Sequence, residues 1–111
     1  MVGERSEVEY RVERFSGDSP PDSVEMNRRM KAEGYDVFEW TDGPQTVYEP
    51  HQHSEDQSHW IISGELELVV EGVGTRVLKT GDRDFMPAGT RHSARVVSDR
   101  EVRYLIGVKY K

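Results

Sequence analysis

A chain of 111 residues has room for one domain of ordinary size, and with 34% hydrophobic against 32% charged residues its core must be small. The net charge of −6, from 15 basic and 21 acidic side chains, argues against a nucleic-acid groove or an anionic membrane surface, since both need a basic patch. The absence of cysteine excludes a disulfide scaffold, a thiolate nucleophile and a sulfur-ligated zinc site, and no apolar run is long enough to span a bilayer.

The charged opening from Met1 to Tyr10 shows no secretory pattern, which makes the cytoplasm the expected location. Val8, Tyr10 and Val12 alternate with Glu7, Glu9, Arg11 and Glu13, the period of a half-buried or edge strand. Gly17-Asp18-Ser19-Pro20-Pro21 then breaks regular structure. Asp22 or Ser23 can cap a short helix to about Glu33, with Gly34 in the stop position. Its clear apolar pair is Met26 and Met30, so the helix is expected on the outside of something larger. Residues 1–34 thus read as an arm and short helix packing on a domain formed by 35–111.

From Tyr35 onward the pattern is short strands and turn signals. Strand-like runs fall at Asp36–Thr41, Thr46–His53, His59–Ser63, Glu65–Glu71, Thr75–Lys79, Ser93–Val97 and Glu101–Tyr110, with breaks at Gly64, Gly72-Val73-Gly74, Gly81-Asp82 and Pro87-Ala88-Gly89. Such spacing predicts an all-β domain, a small antiparallel barrel or jelly roll. In the last run Val102, Tyr104, Ile106, Val108 and Tyr110 face one way, with Arg103 and Lys109 opposite. Alternation in the arm and in this terminal strand suggests a homodimer built by sheet extension.

The histidines are not scattered. His51, His53 and His59 fall within nine residues, and His92 lies in a second turn-rich segment. Positions i and i+2 of a strand share a face, so His51 and His53 can converge, and Gln57, His59 and Ile61 form another such row. Curling those rows together with His92 gives three imidazoles and one or two further donors, a set suited to a first-row divalent metal.

These residues resemble the two motifs of the cupin family of compact β-barrels. His51-Gln52-His53, position 57 and Gly64 follow the first motif, in which two histidines precede a glutamate and a glycine. Gly81, Pro87, Gly89 and His92 fill the second up to its histidine, and 16 residues separate the motifs, as in small single-domain bacterial cupins. The resemblance runs from about Val37 to Tyr110. It implies an RmlC-like jelly roll with metal ligands at His51, His53, position 57 and His92, for manganese, iron, nickel, zinc or copper.

The chain departs from the pattern in three places. Gln45 stands where a glycine usually precedes the first motif, Val96 replaces the closing asparagine of the second, and Gln57 replaces the glutamate. A glutamine can coordinate through its amide oxygen, but it is neutral, and it cannot titrate as a base. Glu55 and Asp56 lie just ahead of it as partial substitutes. Glu49 shares the parity of His51, although Pro50 can shift the phase. For His59 three roles stand open: a fourth imidazole ligand, a substrate-facing acid or base, or a cavity-lining histidine bonded to a neighbour.

The expected lining is Phe38 or Trp40, Ile61, Leu66, Leu68, Val70, Phe85, Met86, Val96, Tyr104 and Ile106, with Tyr48, Tyr104 and Arg95 as candidate substrate contacts. Two classes of function follow from the resemblance. One is a metal-dependent enzyme, of dioxygenase or isomerase type, acting on a small organic molecule with His59 as the catalytic group. The other is a non-catalytic module binding a small ligand, with or without metal. Neither involves nucleic acid or membrane.

Overall fold

The computed structural model describes residues 9–17 and 19–110. Val8 and Glu7 of the expected arm strand, and Asp18 of the break after it, lie outside them. Among the described residues run β1 (Arg11–Glu13), α1 (Ser23–Ala32), β2 (Asp36–Asp42), β3 (Val47–His51), β4 (Asp56–Ser63), β5 (Leu66–Val70), β6 (Gly74–Leu78), β7 (Arg83–Met86), β8 (His92–Val96) and β9 (Val102–Lys109). They form two antiparallel sheets, ordered β1-β7-β4-β9-β2 and β3-β8-β5-β6. The core between the sheets holds Ile61, Met86, Val102 and Tyr104 from the first, and Leu66, Leu68, Val70, Leu78 and Val96 from the second.

The helix forms where its caps allow it. Asp22 accepts the amides of Val24 (3.0 Å) and Glu25 (3.4 Å), which satisfies donors that the first turn leaves free. Gly34, at φ +101°, ends it in a left-handed conformation. Met26 and Met30 pack with Leu105, Trp60, Ile62, Tyr35 and Val37 on the outer face of the five-stranded sheet. A side chain at Gly107 would lie 2.5 Å from Met30 Cε, so this glycine lets the helix sit close. β9 is therefore covered on both faces, which the alternation of Arg103 and Lys109 does not suggest.

Two sequence expectations need correction. The terminal strand lies between β4 and β2, so it has no free edge for sheet extension; the free edges of its sheet belong to β1 and β2. Phe85 belongs to β7, a strand that the charged text Arg83-Asp84 conceals, and it faces outward, not into the core. There the guanidinium carbons of Arg11 and Arg83 lie 3.9 and 4.3 Å from its ring centre. Arg83 itself is 3% exposed, bonded to Glu33 at the helix end (2.6 Å) and to Ser58 Oγ (2.8 Å). The hydrogen bond from Arg83 holds the Glu33 carboxyl below its ordinary range.

Turn glycines divide by what lies beside them. Gly64 and Gly72 have φ of +88° and +82°, but a Cβ at Gly64 would meet Glu101 O at 2.6 Å and Val102 Cα at 2.8 Å, whereas nothing lies within 4 Å at Gly72. Gly72→Ala should therefore cost about 1–2 kcal/mol for the left-handed backbone alone. Gly64→Ala should cost clearly more, because backbone cannot move aside. Urea denaturation of the two variants checks the order.

The turn before β7 also fixes the segment after β1. Asp82 accepts the amides of Phe15 (2.9 Å) and Lys79 (2.9 Å) and the Arg14 guanidinium (2.8 Å). Burial opposes the charged form, but these donors outweigh it and hold the Asp82 carboxyl below its ordinary value of 3.8. A carboxyl depressed on folding stabilises the fold fully above its unfolded value, and that contribution fades as pH falls through the lower folded value. The melting curves of the parent and Asp82→Asn should accordingly differ at neutral pH and converge below about pH 4.

Candidate metal centre

A bulge sets the geometry of the first histidine. β3 pairs with β8 at Tyr48–Ala94 and again at His51–His92, so three steps on one strand match two on the other. The extra residue falls at Glu49-Pro50 and turns Tyr48 and His51 to the same side, which regular alternation forbids. Glu49 is thereby left outside the cavity lining, and its carbonyl accepts His51 Nδ1–H at 2.6 Å.

The loop after β3 is tied to the second motif. Gly89 N donates to His53 O (2.8 Å), and Ala88 N donates to Asp56 Oδ1 (2.8 Å). Gly89 stands at φ +82° in this turn. The chain then enters β8, where His92 Nδ1–H donates to Thr90 O at 3.0 Å. Asp56 is thus a structural anchor of the turn.

These constraints bring His51, His53 and His92 together, with one ring nitrogen from each within 4.8 Å of the others. Ring centres lie 4.4 Å apart for His51–His92, 4.8 Å for His51–His53 and 5.4 Å for His53–His92. In His51 and His92 the carbonyl bonds occupy Nδ1, which leaves Nε2 with its lone pair for a ligand. Burial and the neighbouring imidazoles push His53 down from its ordinary pKa; in His92 the same causes outweigh the Thr90 carbonyl. Neutral imidazole is the form that binds a metal, so the donor set fits a divalent ion. Among the described residues no carboxylate belongs to this three-histidine group.

Gln57 and His59 stand beside it. Gln57 is buried on β4, lines the same cavity, and places Nε2 at 3.5 Å from Glu55 Oε1. Glu55 Oε1 also lies 3.9 Å from His53 Nδ1. His59 is buried and donates from Nδ1 to Asp84 Oδ1 at 2.9 Å, leaving Nε2 for the cavity. Burial lowers its pKa, but the Asp84 charge and hydrogen bond together outweigh burial and raise it. Asp84 has no exposure and also accepts Tyr10 OH at 3.0 Å, so the arm braces the His59 support.

The cavity has a volume of about 220 Å³. Of the expected lining, Trp40, Leu66, Leu68, Tyr104 and Ile106 are present, joined by Tyr48 and Ala94. Phe38 lies outside it and is 52% exposed, and Ile61, Val70, Met86 and Val96 are core. Arg95 is not a substrate contact: it points out to Glu67, with Nε 2.7 Å from the carboxylate. The residue that the sequence did not single out is Asp42, which accepts Tyr48 OH (2.7 Å), Trp40 Nε1–H (3.1 Å) and Tyr104 OH (2.7 Å) behind the cavity wall. Burial, then hydrogen bonding to Asp42, raises both tyrosine pKa values and keeps the phenols protonated.

A cupin domain model matches residues 38–108, and the chain belongs to that family. Over 53 residues it is 40% identical to dimethylsulfoniopropionate lyase DddQ of Ruegeria pomeroyi, covering 47% of this chain and 26% of that protein. Over 59 residues it is 37% identical to H2HPP isomerase of Bacillus subtilis, covering 53% and 25%. The crystal structure of DddQ aligns with a TM-score of 0.62 and 29% identity over 68% of this chain and 38% of that one. A double-stranded β-helix protein of Klebsiella pneumoniae aligns at 0.61 and 23% identity over 69% and 68%, a likeness of fold alone. The chain spans about a quarter of the length of the curated relatives it matches.

Removing the support of His59 has a measurable cost. Asp84→Ala strips the partner from a buried imidazole, a buried amide and Tyr10, and should lower stability by about 3–5 kcal/mol in urea denaturation.

Proposed function

We propose that His51, His53 and His92 hold a divalent first-row transition metal, with Gln57 at a neutral fourth position, and that the site converts a small organic molecule in a dioxygenase- or isomerase-type reaction. The observation that carries this reading is the convergence of three imidazole nitrogens on the wall of a cavity. When bound, the ion supplies Lewis-acid polarisation of a substrate oxygen. The chain's own residues do the rest. Leu66, Leu68 and Ile106 exclude water, Trp40 and the tyrosines wall the substrate, and His59, oriented at Nδ1 by Asp84, moves a proton at Nε2. On this reading 35–111 is the domain that carries the site, and 1–34 an accessory segment that contributes the helix Ser23–Ala32.

The Gln57 amide favours a second reading, a non-catalytic module that binds a small ligand. It adds no charge to the site and is turned toward Glu55. An ion held without an anionic ligand retains its full charge and draws in a ligand anion.

Metal analysis by mass spectrometry separates these possibilities in steps. Protein loaded with metal and desalted should retain one ion per chain, and His51→Ala and His92→Ala should each lose it. Absence of retained metal under every loading condition refutes the metal reading. Gln57→Glu should tighten retention about tenfold or more, because a carboxylate replaces an amide donor. Oxygen uptake and isomer formation with small phenols, diketones and hydroxy acids then distinguish enzyme from binder.

A further inference from the structure

The cavity wall away from the histidines is built on a buried acidic side chain that forms no ion pair among the described residues. Asp42 ends β2 and is 7% exposed. Its oxygens are satisfied as hydrogen-bond acceptors, Oδ1 by Tyr48 OH and the Trp40 indole and Oδ2 by Tyr104 OH, but all three donors are neutral. Among the described residues no lysine, arginine or histidine forms an ion pair with it. The other inward carboxylate, Asp84, has His59, and Asp82 has Arg14. A buried charge without a partner is costly, and proteins keep one where a ligand supplies the counter-charge.

What stands between Asp42 and the cavity is aromatic. Trp40, Tyr48 and Tyr104 all line the cavity, whereas Asp42 lies behind them. Their polar hydrogens are committed to Asp42, so they offer the cavity ring faces and phenol-oxygen lone pairs. Both are electron-rich, and the Asp42 side chain backs them. A small hard cation cannot exchange its hydration shell for such a surface, particularly with Leu66, Leu68 and Ile106 beside it. A cation whose charge is spread over methyl or methylene groups can, because it is weakly hydrated and attracted to ring faces.

We propose that the cavity binds a small zwitterion, its onium group against Trp40, Tyr48 and Tyr104 in front of Asp42 and its anionic oxygen group at the histidine cluster. The anionic half rests on the metal reading given above, since neutral His51, His53, His92 and Gln57 leave a bound ion's charge open. The onium half stands on Asp42 and the aromatic wall alone. Both ends lie in one cavity of about 220 Å³, lined by the three histidines and by Trp40, Tyr48 and Tyr104 alike, so a short linker joins them.

The test titrates metal-free protein with tetramethylammonium and with tert-butyl alcohol, a neutral molecule of the same tetrahedral heavy-atom shape, by calorimetry and by chemical shifts of the Trp40 indole. Tetramethylammonium should bind about tenfold or more tighter than the alcohol, and Asp42→Asn and Trp40→Leu should each remove that preference. Trp40 is half exposed, so its variant is expected to fold even if the Asp42 variant does not. Equal binding of cation and alcohol, or a preference unchanged in Trp40→Leu, overturns the onium half. Zinc-loaded protein is then titrated with glycine betaine and with acetate. Betaine should bind more tightly than either acetate or tetramethylammonium. If tetramethylammonium binds but zinc and acetate do not, the metal reading and the anionic half fall while the onium wall stands.

Discussion

A carboxylate with no exposure must have its oxygens answered from within the fold, and Asp84 meets that demand by joining three parts of the chain. Its Oδ1 takes the amide and Nδ1 of His59, its Oδ2 takes Tyr10 OH, and its main-chain oxygen takes Ser58 Oγ. Strand β4, strand β7, the arm and the orientation of one cavity histidine are therefore set by one residue. The next residue does the same on the opposite face, where buried Arg83 binds Glu33 and Ser58 and ties the helix to the sheet. A slip of β7 by one residue would turn Arg83 into the apolar core and Asp84 under the helix, each without its partner. Two adjacent buried charges thus fix register more firmly than apolar alternation could.

Once that register holds, the histidine cluster depends on local devices that are each short in sequence. The Glu49-Pro50 bulge aims His51, the Gly89–His53 and Ala88–Asp56 bonds lock the two motif loops together, and main-chain carbonyls choose which nitrogen of His51 and His92 stays free. None of these contacts involves a metal. The donors are held in place by contacts within the chain, the kind of preorganisation that lowers the ordering cost of binding.

Much of this was legible because turn residues and histidines carry local signals. The helix caps, most strand spans and the pairing of His51 and His53 with His92 follow from spacing and motif. What escaped the sequence is what depends on long-range partners. Arg83-Asp84 reads as loop because charged residues are normally solvated, and Glu33, Ser58 and His59, between 25 and 50 positions away, make the strand possible. Phe85 reads as cavity lining because it is aromatic, but parity with Arg83 turns it outward. Arg95 reads as a substrate contact on residue type alone, and of the alternatives Phe38 and Trp40 it is Trp40 that lines the cavity. Asp42 gave no signal, since an aspartate before Gly43-Pro44 reads as an ordinary turn residue.

The two inward carboxylates define how the cavity is polarised. Asp84 has an imidazole partner inside the fold and orients His59 through Nδ1. Asp42 is stabilised by hydrogen bonds from neutral donors, which satisfy its lone pairs but leave its charge in place. Had stability been the only demand, an asparagine or a neutral network could have joined β2, β3 and β9 at lower desolvation cost. The carboxylate instead sits behind three aromatic groups on one side of the space, with neutral imidazoles on another. A cavity arranged this way is electrostatically asymmetric before any ligand enters, and it discriminates by charge distribution as well as by shape.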